Sequence, residues 1–175
     1  MIVIGLGANL PTASHGGPRE TLTAALARLE RAGVRIRARS SWYATAPVPA
    51  SDQPDFINAV AAVATDLGPR QLLTLLHSIE TEFGRVRTVR NAARGIDLDL
   101  LIYETLVSAD QPPILPHPRM TERAFVLYPL AELLDMIPDP EGMAWRLPGS
   151  NEPIGALLAR LPPDQRIRRL DAAGC

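Results

Sequence analysis

Lysine is absent from the 175-residue chain, so all 18 of its strongly basic residues are arginine. This absence excludes a lysine nucleophile, a Schiff base and a P-loop lysine, and it leaves arginine as the only strong cation for binding phosphate. Cysteine is nearly absent too, because Cys175 is the only one. The chain can therefore form neither an intrachain disulfide nor a cysteine metal cluster.

The chain also has almost no net charge and few aromatic side chains. The formal net charge is −1, and aromatic residues make up 5% of the chain. Without a global basic field, composition gives no reason to expect a nucleic-acid partner. The apolar start, MIVIGLGANL, lacks a basic leader region and is much too short to span a bilayer. We therefore expect a cytoplasmic protein with no membrane partner.

The hydrophobic content of 46% is ordinary for a globular protein, and the length suits one domain over residues 1–175. Residue patterning predicts the order strand, helix, strand, strand, helix, strand up to Tyr103. The helices are expected to begin at Pro18 and Pro69 and to end at Gly33 and Gly84. This order is the split βαβ pattern of ferredoxin-like folds.

We therefore predict an α+β fold with a ferredoxin-like βαββαβ core. Its sheet should be mainly antiparallel, its helices should pack on one face, and a C-terminal extension should follow. A third helix is expected to begin near Thr121, with Pro129 kinking or breaking it. Residues 141–175 are rich in proline without a sustained period, and they predict irregular wrapping or a tail.

Two carboxylates interrupt the last apolar strand, in the stretch RGIDLDLLIY. Because side chains alternate along a strand, Asp97 and Asp99 project to one face and Leu98 and Leu100 to the other. Such a pair is costly unless a cation neutralises it. Two interpretations remain open from these residues alone. Either the pair holds Mg²⁺, or it ends the strand in solvent or pairs with the upstream Arg87, Arg90 or Arg94.

The loop before this strand carries four arginines within ten residues: Arg85, Arg87, Arg90 and Arg94. A solvated charge run is one explanation. The alternative is a triphosphate site, which needs cations for the phosphate oxygens and carboxylates for the bridging Mg²⁺. The two features together indicate phosphate chemistry more specifically than either does alone.

Four other residues are candidates with ordinary alternatives. His117 lies between two prolines and is either a site residue or a plain surface histidine. Arg123 is equally compatible with a surface position, and Phe125 with the core. Asn58 interrupts an apolar strand, so its buried amide must find a backbone or ligand partner.

Five segments in order carry a family resemblance: GLGANL, YATAPV, QPDFINAV, GRVRTVRNAARGIDLDLLIY and PHPRMTERAF. They resemble the motifs of the hydroxymethyldihydropterin pyrophosphokinase family of folate synthesis over roughly residues 1–140. The fourth segment is the most specific, since a basic residue, two small residues and an arginine precede the Asp-Leu-Asp pair. These positions are Arg90, Ala92, Ala93, Arg94, Asp97 and Asp99.

The resemblance implies transfer of the pyrophosphoryl group of ATP to the hydroxymethyl oxygen of the dihydropterin, with release of AMP. It implies that Asp97 and Asp99 bind two Mg²⁺ ions on the triphosphate, and that Arg85 and Arg94 act in catalysis. It implies nucleotide contacts from a larger set: His77, Glu80, Arg87, Arg90, Arg94, Leu100, His117 and Arg123.

For the pterin, the resemblance implies stacking between Phe56 and Phe125. Asn58 would read the amide edge of the ring, and backbone groups of Thr45 and Val48 would complete the hydrogen bonds. The loops at 46–54 and 85–95 are expected to close over the substrates. The chain departs from the family pattern at Asn91, where an aromatic residue is common, and at Ala92 and Ala93, which replace Gly-Pro.

Two other functions are compatible with parts of this sequence. A ferredoxin-like RNA-binding module would use aromatic residues on the sheet, but aromatics are few here and the acidic pair would repel phosphate. An inactive regulatory paralogue would keep the fold and lose the site, yet Arg94, Asp97, Asp99 and His117 are all present. We expect small-molecule substrates, no nucleic acid and a monomer.

Overall fold

A six-stranded sheet organises the computed structural model, which describes residues 1–47, 51–85, 94–137 and 145–170. Its strands are β1 (Ile2–Ala8), β2 (Arg35–Arg39), β3 (Trp42–Thr45), β4 (Phe56–Ala64), β5 (Asp97–Tyr103) and β6 (Ile167–Leu170). The helices are α1 (Pro18–Arg31), α2 (Pro69–Glu82), α3 (Ala124–Met136) and α4 (Ile154–Ala159), with a 3-10 turn at Met120–Glu122. Within these ranges no helix has the length and apolarity to cross a membrane.

The strand order is β5-β1-β4-β3-β6, and β2 also pairs with β4. Every one of these pairings is antiparallel, which confirms the predicted α+β class. Where the predicted order has one strand after the first helix, the structure has two, β2 and β3. The chain changes course at Ser40, whose hydroxyl accepts a hydrogen bond from the Val60 N–H at 3.1 Å.

Two apolar layers cover the sheet, one on each face. Leu22, Leu29, Leu72 and Leu76 of α1 and α2 pack on one face, and α3 and α4 pack on the other. The helices of the predicted βαββαβ core, α1 and α2, do pack on one face, and α3 and α4, which follow that core, add a layer on the other. The reason lies in β4, whose residues are buried on both sides, so each face needs its own layer.

The C-terminal segment is more regular than an irregular tail. Residues 145–170 contain α4, and β6 pairs antiparallel with β3 and extends the sheet. Sequence periodicity did not predict β6, because a four-residue strand next to prolines and arginines is too short to show a clear alternation. Pro129 likewise does not break α3, which continues to Met136. That residues 1–175 form one domain stays a prediction.

Candidate active site

A cavity of about 230 Å³ opens on the sheet face that α3 covers. Antiparallel register places Asp97 opposite Gly7, and Gly7 opposite Asn58, so one row crosses three strands. Gly7 keeps the floor of this row clear, because a Cβ there would lie 3.1 Å from Asn58 Oδ1. The lining residues are Gly7, Thr45, Ala46, Pro47, Ser51, Gln53, Phe56, Asn58, Arg85, Arg94, Asp97, Asp99, Arg119, Arg123 and Phe125.

Asp97 is held by two arginines at the charged end of the cavity. Arg85 donates to Asp97 Oδ1, and Arg94 Nη1 donates to Asp97 Oδ2 at 2.6 Å. Asp97 therefore forms the ion pair with Arg94 that one of the two interpretations predicted, and it forms a second ion pair with Arg85. Both arginine side chains are about one-fifth exposed, so the cluster is open to a ligand.

Asp99 lies on the same face and is less fully paired. Its side chain is 38% exposed, and its Oδ2 lies 3.9 Å from Arg123 Nη1. Burial and the neighbouring charge of Asp97 raise the pKa of Asp99, while His117, Arg123 and Arg85 oppose that rise. A carboxylate with a raised pKa is one that an added cation would stabilise in its ionised form.

Glu80 lies behind this pair and does not line the cavity. Its side chain is 1% exposed, it pairs with Arg85, and its Oε1 accepts a hydrogen bond from the Leu98 N–H at 2.8 Å. Burial alone would lower the pKa of Arg85, but the charges of Asp97 and Glu80 outweigh burial and raise it. Glu80 thus holds Arg85 and the backbone between the two aspartates in place.

We call the part of the cavity formed by Thr45, Phe56, Asn58 and Phe125 the uncharged end, because none of these side chains carries a charge. Asn58 is buried, and its Nδ2 donates to Thr45 Oγ1 across β4 and β3 at 2.8 Å. Phe56 and Phe125 both line the cavity, and the Arg123 guanidinium lies over the Phe125 ring at 5.2 Å. These groups can offer an amide edge and apolar surface to a flat ring.

Asn9 joins the segments on either side of the cavity. Its Nδ2 donates to Gln53 Oε1 at 3.2 Å and to Pro54 O at 3.1 Å. Its Oδ1 accepts a hydrogen bond from the Arg94 N–H at 2.8 Å. Sequence analysis did not single out Asn9 or Gln53, although a buried amide after β1 was a usable signal.

Comparison with known proteins places this chain in a family. Residues 3–135 match the family model of 7,8-dihydro-6-hydroxymethylpterin-pyrophosphokinase. The chain belongs to this family. The match confirms the family predicted from the five sequence segments.

Curated relatives agree with the pyrophosphokinase family. The 2-amino-4-hydroxy-6-hydroxymethyldihydropteridine pyrophosphokinase of Pseudomonas aeruginosa is 44% identical over 81% of this chain and 85% of its own. The Bacillus subtilis protein of the same name is 43% identical over 77% of this chain and 78% of its own. A mitochondrial folate synthesis bifunctional protein of Arabidopsis thaliana is 38% identical over 82% of this chain, which spans 25% of that relative.

The structure brings most of the predicted site residues of this pyrophosphokinase family member to the cavity. Those lining it are Thr45, Phe56, Asn58, Arg85, Arg94, Asp97, Asp99, Arg123 and Phe125. Val48, Arg87 and Arg90 lie outside the described residues, as do the departures at Asn91, Ala92 and Ala93. The predicted closure of the loops at 46–54 and 85–95 therefore stays a prediction.

The other predicted residues do not line the cavity. Leu100 packs its side chain in the core under α1 and α2, so only its peptide group could meet a ligand. His77 is partly exposed on α2. His117 lies near Asp99, and burial lowers its pKa, with Asp99 acting in the opposite direction. Arg119, which sequence analysis missed, does line the cavity, and the signal for it was a cation beside His117 in the motif.

The donor set fits a magnesium ion better than a metal with a full protein cage. Within the described ranges, no three Asp, Glu, His or Cys side chains gather as a metal cluster. Asp97 and Asp99 share one face and open onto the cavity. Mg²⁺ is usually held by one or two carboxylates, and substrate phosphates and water complete its shell.

Proposed function

We propose that this protein transfers the pyrophosphoryl group of ATP to the hydroxymethyl oxygen of 6-hydroxymethyl-7,8-dihydropterin, a step of folate synthesis. The names of its Pseudomonas and Bacillus relatives describe this reaction. The observation that carries the proposal is the division of one cavity into a charged end and an uncharged end. The two ends suit a triphosphate and a flat polar ring respectively.

At the charged end, Asp97 and Asp99 would hold two Mg²⁺ ions on the triphosphate. When bound, the ions would neutralise phosphate charge and lower the pKa of the attacking hydroxyl. The raised pKa of Asp99 and its partial exposure support this role, because the carboxylate has room and reason to take a cation.

Arg85 and Arg94 would bind phosphate oxygens at the same end. Each now pairs with one oxygen of Asp97, so both guanidinium groups already point into the cavity. An arriving triphosphate offers them a second anion of higher charge, with which an arginine forms strong hydrogen bonds. Arg119 and Arg123 would add positive charge, as would Arg87 and Arg90 from the preceding motif. His117 would contact the phosphates as a hydrogen-bonding ring, because burial lowers its pKa and favours the neutral form. His77 and Leu100 would contact the nucleoside.

At the uncharged end, Asn58 would recognise the amide edge of the pterin, and Phe56 and Phe125 would stack on its faces. Backbone groups of Thr45 and Val48 would complete the hydrogen bonds. Stacking contributes about 1 kcal/mol per ring pair, so the buried amide must supply most of the discrimination.

The reaction balances without further reactants. The hydroxymethyl oxygen attacks the β-phosphorus, a new oxygen–phosphorus bond forms, and the bond to the oxygen shared with the α-phosphorus breaks. AMP leaves with that oxygen, and the hydroxyl proton passes to solvent. The arginines stabilise the negative charge that develops on the leaving group and on the transferred oxygens.

A direct assay tests the proposal. The protein is incubated with ATP, Mg²⁺ and the hydroxymethyl dihydropterin, and the nucleotide products are separated. We expect AMP and the pterin diphosphate in equal amounts, and no AMP when the pterin is omitted. ADP in place of AMP, or no product from the folded protein, would contradict the assignment.

The proposed working form is a cytoplasmic monomer that acts on small molecules without nucleic acid. Sedimentation of the protein at assay concentration would measure its mass directly.

A further inference from the structure

A side chain from the C-terminal segment holds the start of α3. Gln165 Oε1 accepts a hydrogen bond from the Ala124 N–H at 2.8 Å, and Gln165 Nε2 donates to Glu122 O at 2.7 Å. Residue 165 lies beyond the family match, which ends at residue 135. One glutamine therefore fixes the peptide groups on both sides of Arg123.

This contact satisfies groups that a helix leaves open. The first N–H groups of an α-helix have no partner within the helix and need an external acceptor. Ala124 is the first residue of α3, and the preceding Arg123 makes no side-chain capping bond. Gln165 therefore acts as a cap contributed from a distant part of the chain.

The turn that Gln165 holds carries two side chains of the cavity. Arg123 reaches toward Asp99 at 3.9 Å, and its guanidinium lies over the Phe125 ring at 5.2 Å. A rotation of the peptide groups at 122–124 would move both side chains together, because they are separated by one residue.

The neighbours of Gln165 hold the opposite wall. Arg166 O accepts a hydrogen bond from the Ala46 N–H at 3.4 Å, and Ile167 of β6 pairs with Thr45 of β3. Thr45 and Ala46 both line the cavity. Three consecutive residues, 165–167, thus contact the backbone beside both walls of the uncharged end.

We propose that Gln165 is a positioning residue that sets Arg123 and Phe125 at the mouth of the cavity, so that the C-terminal segment helps to form the pterin site. This inference rests on the proposed function, since it assigns the uncharged end to the pterin. Gln165 does not line the cavity and acts only through the turn at 122–124.

The test compares Gln165→Ala with the wild type in steady-state kinetics and in calorimetric titration with the pterin. Loss of the cap should raise the KM and the dissociation constant for the pterin about fivefold. Amide hydrogen exchange at Ala124 should become faster. Gln165→Glu keeps the acceptor for the Ala124 N–H, so it should recover part of the affinity, and it provides a second variant if Gln165→Ala fails to fold.

Two controls separate positioning from general stability. Arg169→Ala removes a contact between the same C-terminal segment and Ser41 and Glu132, and Arg169 makes no hydrogen bond or ion pair with residues 122–124 among the contacts that the structure describes. It should lower the melting temperature and leave the KM for the pterin unchanged. Gln111→Ala removes an exposed glutamine far from the turn and should change neither quantity.

The outcomes distinguish this inference from the proposed function. Absence of AMP with the wild type would contradict the function, and the titration and exchange measurements would still decide the role of Gln165. Wild-type pterin affinity and wild-type exchange at Ala124 in Gln165→Ala would overturn the inference. An equal rise of the pterin KM in Arg169→Ala would also overturn it, because general loosening would then be enough.

Discussion

The two ends of the cavity are built in different ways. At the charged end, side chains hold one another, since Asp97 contacts Arg85 and Arg94 while Glu80 supports Arg85 from behind. At the uncharged end, strand register positions the groups, because it pairs Asn58 of β4 with Tyr43 of β3 and so brings Thr45, two residues further on, within hydrogen-bond reach of the Asn58 amide. The arginines of a charged cluster can leave their carboxylate partners and pair with a ligand. A hydrogen bond between side chains of adjacent strands is already formed before the ligand binds.

This difference predicts which kinetic quantity depends on each end of the cavity. Removing charge at one end should affect turnover, because charge develops on phosphate during the reaction. Removing the Asn58 amide at the other end should weaken pterin binding, because the polar edge of the bound pterin would then lack its hydrogen-bond partner.

The largest effect is expected from Asp97→Asn. The change keeps the shape of the side chain but removes a negative charge from between Arg85 and Arg94. AMP release should fall by at least about 100-fold, since a preorganised charge at a reacting phosphate contributes about that much. The measurement is kcat in the AMP assay, with circular dichroism to confirm folding.

Asp135→Asn is the matched control for the charged end. Asp135 is exposed on α3 and does not line the cavity, so the same change of chemistry should leave kcat unaltered. If Asp97→Asn kept kcat within threefold of the wild type, Asp97 would be a structural ion-pair partner only, and the proposed role of the charged end would be wrong.

The second effect is expected from Asn58→Ala at the uncharged end. The KM for the pterin should rise about tenfold, the usual consequence of losing a buried hydrogen bond of about 1–3 kcal/mol. The KM for ATP should stay within about twofold of the wild-type value. Thr45→Val removes the hydroxyl that fixes the Asn58 amide and should give an intermediate rise. Equal rises for ATP and pterin would show that the two ends do not act separately.

The sequence was sufficient to find both ends of the cavity for one physical reason. Strand alternation places Asp97 and Asp99 on a common face, and the family motifs supplied the residues that meet them. Asn58 was detectable because a polar side chain inside an apolar strand needs a partner. The shared face of the two aspartates and the buried, hydrogen-bonded amide of Asn58 were therefore predicted correctly, and the roles of these residues stay predictions.

Features set by tertiary contacts were not predictable in this way. Glu80 was expected at the nucleotide, yet it is buried against the Leu98 N–H, a contact that depends on how α2 packs on β5. The second helix layer follows from burial of both faces of β4 rather than from helix periodicity. β6 has four residues, too few for its alternation to be distinguished from a tail.

The smallest effect concerns stability and extends the comparison to groups outside the cavity, where an ionised side chain joins α3 to β3 and β6. Glu132 of α3 accepts hydrogen bonds from Ser41 and from Tyr43 of β3, and it pairs with Arg169 of β6. Burial alone would raise the pKa of Glu132, but these hydrogen bonds and the arginine charge outweigh it, so the pKa lies below its ordinary value.

A lowered carboxylate pKa stabilises the fold above the unfolded-state pKa, and this stability is lost as the pH falls through the folded-state pKa. Glu132→Gln should therefore reduce the free energy of unfolding at pH 7 and flatten its decline in the acid range below the ordinary glutamate pKa. Denaturant titrations at pH 7, about 4.5 and about 3 would measure both effects. Glu30→Gln, on the exposed side of α1, should keep the acid slope of the wild type. If Glu132→Gln also kept the acid slope of the wild type, the attachment of β3 to α3 would not depend on an ionised carboxylate. The groups that support the uncharged end would then need no charge either, unlike Glu80, which supports the charged end.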